Sequence, residues 1–228
     1  MGGTGLTRFC LLNTRGSSKI TNSLQNSGKQ LPKLKATGIL LAGGKSSRMK
    51  KDKAFLELEG RPLVEQSLAV LQTVFTEVLI SSNKPELYVG YEVQVILDEI
   101  PGRGPLEGLY QGLKAATYDE VFFVACDMPF LSVELIRFLA TWISEYDVVV
   151  PQLQDGFHPL HAFYHRRCIP IIQNNLEAGH FKIIDFYPTC SVRYVKEKEL
   201  QAFSDLSKVF YNVNTPDEWS AIIKVNPN

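Results

Sequence analysis

From about residue 35 onward, apolar residues fall in two rhythms. Short, mostly apolar runs mark buried strands. These are Gly38-Ile39-Leu40-Leu41, Val78-Leu79-Ile80, Val93 to Leu97, Val121 to Ala125 and Asp147 to Val150. Between them, apolar residues recur at helical spacing. Pro62 to Phe75 carries Val64, Leu68, Leu71 and Phe75 on one stripe, and Pro105 to Ala116 carries Leu106, Leu109, Tyr110 and Leu113. Pro105 suits a first helical turn, where its missing N–H has no partner to lose. Ser132 is placed to cap a helix through Ile136, Leu139 and Ile143, its hydroxyl accepting from a free N–H of the first turn. A turn at Asp155-Gly156 leads into a strand from His158 to Tyr164, and Arg167 to Ala178 is predicted helical, closed by Gly179. Thr215 and Glu218 have the spacing of a reciprocal capping box that opens a last helix.

Strands alternating with helices predict an α/β three-layer sandwich, a mainly parallel mixed sheet covered on both faces. In such sheets ligands bind beyond the carboxyl ends of the strands. The residues just after each strand therefore carry the chemistry.

Composition narrows the class. The 228 residues hold 24 Lys and Arg against 24 Asp and Glu. A chain of zero formal charge gives no global reason to expect nucleic acid or a membrane as partner. No Asp or Glu precedes Asp52, and the opening stretch is rich in Ser, Asn, Thr and Gly. It contains no apolar run long enough for a signal peptide or a membrane span. Residues 1–35 are read as a disordered or weakly ordered tail, and residues 36–228 as the folded domain. Cys10, Cys126, Cys168 and Cys190 form no C-x-x-C pair, which argues against a structural zinc site. Isolated cysteines of this kind are read as reduced packing residues, and cytoplasm is the default location.

Two post-strand segments stand out. The first is Leu41-Ala42-Gly43-Gly44-Lys45-Ser46-Ser47-Arg48-Met49, followed by Lys50, Lys51 and Lys53. Paired glycines let the backbone approach a ligand and present successive N–H groups, a nest for phosphate oxygens. The dense cations match a nucleoside triphosphate. A Walker A loop does not fit, because its first glycine would fall at Ile39. A solvated basic turn is the competing explanation. The second segment is Val121 to Ala125 ending at Cys126-Asp127. A carboxylate ending so apolar a strand is costly unless paired or metal-bound, and one carboxylate facing a triphosphate is enough to hold Mg²⁺. The alternative is a helix-capping aspartate. Gly108 and Gly112, inside a predicted helix, each cost about 1 kcal/mol against alanine. They point to close approach of the helix to the sheet or to a ligand, and for Gly112 the sheet is the stronger explanation.

The first segment, with Asp52-Lys53 after it, resembles the opening signature of molybdenum cofactor guanylyltransferases. These are nucleotidyltransferases with a Rossmann-like, nucleotide-diphospho-sugar-transferase-like fold. Leu56, Leu58 and Gly60-Arg61-Pro62-Leu63 continue the pattern, while Lys50 stands where the family normally has glycine. Gly104-Pro105-Leu106-Glu107-Gly108, Cys126-Asp127-Met128-Pro129, His158-Pro159 and Asn212-Val213-Asn214-Thr215-Pro216 resemble further motifs in family order. The resemblance runs from about Thr37 to about Ile222.

It implies transfer of GMP from GTP to molybdopterin, with Mg²⁺ as cofactor and pyrophosphate released. Arg48, Lys53 and Asp127 are then catalytic. Leu41, Ala42, Gly43, Gly44, Lys53, Ser81, Asp98, Gly104, Pro105, Leu106 and Asp127 bind the nucleotide. Ser81 occupies the place of a family asparagine, with Asn83 as the alternative. Asp127 binds Mg²⁺, joined by Asn214 or Asn212 by analogy with related pyrophosphorylases. His158 faces the acceptor. His161 is structural, and a spacing of three along a strand puts the two histidines on opposite faces, which argues against shared metal ligation. Arg166, Arg167, His180 and Lys182 are candidates for the pterin's phosphate. Other molybdenum cofactor biosynthesis or acceptor proteins are the implied partners. The rivals are a related transferase using CTP or another triphosphate with a pterin- or sugar-phosphate acceptor, and a nucleotide-binding protein without turnover.

Overall fold

The computed structural model describes residues 31–43, 52–203, 205–213, 215 and 218–219. Its elements lie in one compact unit, Lys33–Asn228. Strand β1 (Leu34–Leu41) is followed by a small hairpin of β2 (Glu57–Leu58) and β3 (Arg61–Pro62), then helix α1 (Leu63–Val74) and β4 (Phe75–Ser81). β5 (Gln94–Ile96), α2 (Pro105–Ala115) and β6 (Glu120–Ala125) come next, then α3 (Val133–Leu139) and β7 (Val148–Leu153). The chain continues through β8 (Gly156–Phe157), β9 (His161–His165), α4 (Ile169–Glu177) and β10 (Val192–Lys196) to two short helices, α5 (Glu197–Leu200) and α6 (Leu206–Val209).

The main sheet runs β5-β4-β1-β6-β9-β7-β10, with β8 folded back on β7. Along that path only β9 is antiparallel to its neighbours, β6 and β7. Successive residues of a strand face opposite sides, and the core divides accordingly. Leu40, Phe122 and Val124 meet Leu68 and Leu71 of α1 and Leu135, Ile136 and Leu139 of α3. Ile39, Leu41, Val121 and Phe123 meet Leu106, Leu109 and Leu113 of α2 and Ile172 and Leu176 of α4. The result is the expected three-layer arrangement. Each fully buried aliphatic or aromatic side chain contributes about 1.5–3 kcal/mol, so both faces are well anchored.

The long elements fall where the periodicity puts them. Ser132 caps α3, its side chain accepting from Leu135 N. Thr215 and Glu218 form the capping box, with bonds of 3.0 and 3.2 Å. Other expectations need correcting. Helix α3 stops at Leu139, and Ile143 follows a separate 3₁₀ turn, Ala140–Trp142. His158 to Leu160 is a turn, because Gly156–Phe157 first pairs back on β7 and the strand begins only at His161. β10, β8, α5 and α6 carry no pattern strong enough to announce them. Among the described residues, no helix is long and apolar enough to cross a membrane.

Candidate active site

Strands β4 and β5 lie on one side of β1 and β6 on the other. The connections leaving β1 and β6 therefore diverge at their carboxyl ends, which opens a crevice at this switch point. The ladder continues past the strand ends and fixes the loops. Ala42 N–H donates to Ser81 O at 2.9 Å, Cys126 N–H to Leu41 O at 3.0 Å, and Ser82 N–H to Ile96 O at 2.9 Å. Leu41 and Ala42 are buried while Gly43 is exposed. Because the amide of Ala42 is taken up by Ser81, the first amide of this segment open to a ligand is that of Gly43. Gly44 and Arg48 lie outside the described residues.

Asp127 and Lys53, 74 positions apart, meet across this crevice. Lys53 Nζ donates to Asp127 Oδ2 at 3.1 Å. Asp52, beside Lys53, caps its short 3₁₀ turn and pairs with Lys84 at 3.2 Å. Val213 N–H donates to Asp127 O at 2.9 Å, so the Asn212-Val213 segment is seated on the aspartate's backbone. Asn212 is exposed there, and Asn214 lies outside the described residues. Burial pushes the Cys126 thiol up to about 12, with the charge of Asp127 adding to the effect. The cysteine is therefore a neutral packing residue, not a nucleophile.

The donor set suits Mg²⁺. Asp127 keeps part of its carboxylate open, 22% exposed. No group of three or more His, Cys, Asp and Glu residues is placed to enclose a metal among the described residues. Mg²⁺ accepts such a site, taking one carboxylate and completing its shell with phosphate oxygens and waters.

Ser81, Asn83, Asp98 and the start of α2 gather at one end of the crevice. Asn83 and Asp98 join by two bonds: Asn83 Nδ2 donates to Asp98 Oδ2 at 2.6 Å and Asp98 N to Asn83 Oδ1 at 2.9 Å. Burial raises the carboxyl of Asp98, the Asn83 bond opposes this, and the charge of Glu107 adds to the rise. Ser81 is buried against α2; a Cβ on Gly108 would sit 2.9 Å from its hydroxyl. Of the two candidates for the family asparagine, Asn83 is thus the side chain that reaches Asp98. Gly104 adopts φ 70°, ψ −162° at the cap of α2, and Pro105 and Leu106 open the helix. That backbone region is open essentially to glycine alone.

On the other flank a cavity of about 510 Å³ opens at the carboxyl ends of β7 and β10, bordered by Asp155, Glu197, Phe210, Tyr211 and Asn212. His158 Nε2 lies 3.2 Å from Asp155 Oδ1. The rings of His158 and His161 both pack on Phe210, at 4.4 and 5.0 Å between centroids. The opposite-face placement expected of them fails, because His158 is in the turn. Arg166 and Arg167 pair with Asp119 and Asp147, just before β6 and β7. They sit at the amino end of the sheet, away from the crevice. His180 and Lys182 flank Phe181, which lies under Arg103 in the loop before α2. Sequence reasoning missed the Asn83–Asp98 pairing and the burial of Glu107. The only signal for the latter was a charge between Leu106 and Gly108 on an otherwise apolar turn.

Comparison with known proteins gives a consistent picture. Residues 38–190 match the family model described as MobA-like NTP transferase domain. A "Probable molybdenum cofactor guanylyltransferase" of Pelotomaculum thermopropionicum is 42% identical over 185 residues, covering 81% of this chain and 90% of the relative. A "Molybdenum cofactor guanylyltransferase" of Syntrophotalea carbinolica is 35% identical, covering 80% and 88%. Among solved structures, molybdopterin-guanine dinucleotide biosynthesis protein A from Archaeoglobus fulgidus superposes with a TM-score of 0.73 at 24% identity, over 83% of this chain and 97% of that one. At that identity the likeness speaks for the fold alone.

Proposed function

The chain belongs to the MobA-like NTP transferase family, and on that premise we propose that it is a molybdenum cofactor guanylyltransferase. It transfers GMP from GTP to molybdopterin and releases pyrophosphate. The observation that carries this reading is the meeting of Lys53 and Asp127, 3.1 Å apart, at the switch point of the sheet.

In the proposed reaction an oxygen of the acceptor's terminal phosphate attacks the α-phosphorus of GTP in line. The new P–O bond forms as the bond to the β-phosphate bridge breaks, and the electron pair leaves with pyrophosphate. The attacking oxygen is already anionic at neutral pH, so no strong protein base is needed. Catalysis then rests on positioning and on neutralising charge. The amides from Gly43 onward and the cationic loop hold the phosphates, with Lys53 and Arg48 meeting the charge that grows on the leaving group. Asp127 would hold Mg²⁺ with Asn212 or Asn214, and the ion supplies neutralisation of the phosphate oxygens. Asp98, Gly104, Pro105 and Leu106 receive the nucleoside. The cavity beside Asn212, whose wall residue Asp155 pairs with His158, receives the pterin. The enzyme works in the cytoplasm, where GTP is available, beside proteins that supply molybdopterin or take up its product.

The test is pyrophosphate release with each nucleoside triphosphate, with and without molybdopterin. Release that requires both GTP and molybdopterin supports the reading. Release with a sugar phosphate as acceptor, or no release with any pair, contradicts it.

A further inference from the structure

Glu107 is only 1% exposed. A carboxylate taken out of water is costly unless it is paired and hydrogen-bonded, and an apolar side chain of similar size would fill the space at less cost. Its Oε1 accepts from Gln111 Nε2 at 2.8 Å, one helical turn along α2. Its Oε2 has no hydrogen-bond partner among the described residues, and Arg103 Nη1 stands 3.7 Å away. Gln111 Nε2 also reaches Glu99 Oε2 at 3.2 Å, and Lys114 Nζ lies 3.5 Å from that same oxygen. Glu107, Gln111 and Lys114 recur at the spacing that places side chains on one face of a helix. That face grips Glu99 and Arg103, both in the loop between Asp98 and Gly104.

The gripped loop carries the nucleoside end of the site at both of its ends. Asp98 is pinned from the other side by its two bonds to Asn83. Arg103 is held between Glu107 and the ring of Phe181, 6.0 Å from the ring centroid. Gly104, next in sequence, takes the backbone conformation that opens α2. The Glu107 side chain is 2% exposed, so it does not touch a ligand and acts only through the loop.

We propose that Glu107 is a positioning residue for the nucleotide: through Arg103 and Gln111 it fixes the Asp98–Gly104 loop in the shape that receives the nucleoside of GTP. This rests on the guanylyltransferase reading. The test compares wild type with Glu107→Gln, Arg103→Gln and the double variant. Glu107→Gln keeps an oxygen for Gln111 and removes the charge that faces Arg103. The readouts are the GTP dissociation constant by calorimetry without acceptor, KM and kcat in pyrophosphate release, the inhibition constant of pyrophosphate, and Tm. Each single variant is expected to weaken GTP binding and raise its KM about tenfold, because either one removes the same charge contact that holds the loop. kcat and pyrophosphate inhibition stay as in wild type, because the phosphates are held elsewhere. The double variant is expected to be no worse than either single, since both remove the same contact. Should Glu107→Gln not fold, Arg103→Gln carries the same test from the exposed side of the pair. Unchanged GTP binding in the folded variants, an equal loss of GTP and pyrophosphate binding, or additive effects in the double would each overturn the proposal. Wild type that binds GTP without turnover would defeat the catalytic reading while the binding constants still decide the role of Glu107. Wild type that binds no nucleotide would overturn both.

Discussion

Asp127 ends an apolar strand and meets Lys53, and Val213 is seated on its backbone. Asp127→Ala should abolish guanylyl transfer and leave the fold intact, because the carboxylate is partly open and is not part of the packed core. Product formation measured beside circular dichroism checks this; a folded variant with near-wild-type turnover would remove Asp127 from the mechanism. His161 is a residue of the opposite kind. It is fully buried, neither ring nitrogen has a hydrogen-bond partner among the described residues, and burial holds its pKa down to about 3. The unfolded chain takes up a proton near pH 6.5 where the fold does not. Stability therefore falls as the pH drops from about 6.5 toward 3, at up to about 1.4 kcal/mol per unit. His161→Leu is expected to flatten that slope, read from unfolding free energies between pH 7 and pH 5; equal slopes in both proteins would contradict it. Asp127 and Lys53 were legible as residue types in the sequence, because one ends an apolar run and the other closes a basic cluster. The structural role of His161 was also legible, whereas the opposite-face argument against shared ligation failed, since it rested on a strand that begins three residues later than expected.

Helix α2 shows how a single glycine sets the fit of an element. A Cβ at Gly112 would lie 2.7 Å from Phe123 and 2.8 Å from Ile39, both fully buried. Gly112→Ala gains about 1 kcal/mol of helix propensity but forces the helix off the sheet, with a net loss of about 1–3 kcal/mol from overpacking. A lowered Tm is the expected result, and a Tm at or above wild type would show that the helix shifts without strain. The sequence disclosed this element well because eleven residues of helix carry a complete apolar stripe. β10 was hidden because only Val195 among its residues is buried. It exists through its parallel register with β7, from Val192 opposite Val148 to Lys196 opposite Gln152, a pairing that no local pattern encodes. Helices α5 and α6 have four residues each, too few for a period to show.

For the whole molecule, the alternation of strands and helices foretold a mainly parallel sheet covered on both faces, and Lys53 and Asp127 meet at its carboxyl ends. The order of the strands was not legible, because it is set by contacts far apart in sequence. For the same reason Arg166 and Arg167 looked available to a phosphate although they sit at the amino end of the sheet. Residues 1–32 precede the unit that carries the candidate site, and their composition is polar and acid-free. Deleting them should leave Tm and turnover unchanged; a large fall in either would show that they belong to the working domain. The choice of base concerns the molecule as an enzyme. Guanine offers an O6 acceptor with N1–H and N2–H₂ donors, and in the proposed reading the Leu41–Gly43 and Gly104–Gly108 backbones would frame it. A site built to pair with guanine leaves its polar groups unmet by cytosine, at roughly 1–3 kcal/mol for each buried group. Two such groups give a preference on the order of a hundredfold. The most direct measurement is kcat/KM for GTP and for CTP with molybdopterin as acceptor. A preference for GTP of about a hundredfold or more is the expected result, and comparable values for the two triphosphates would contradict the guanylyltransferase assignment.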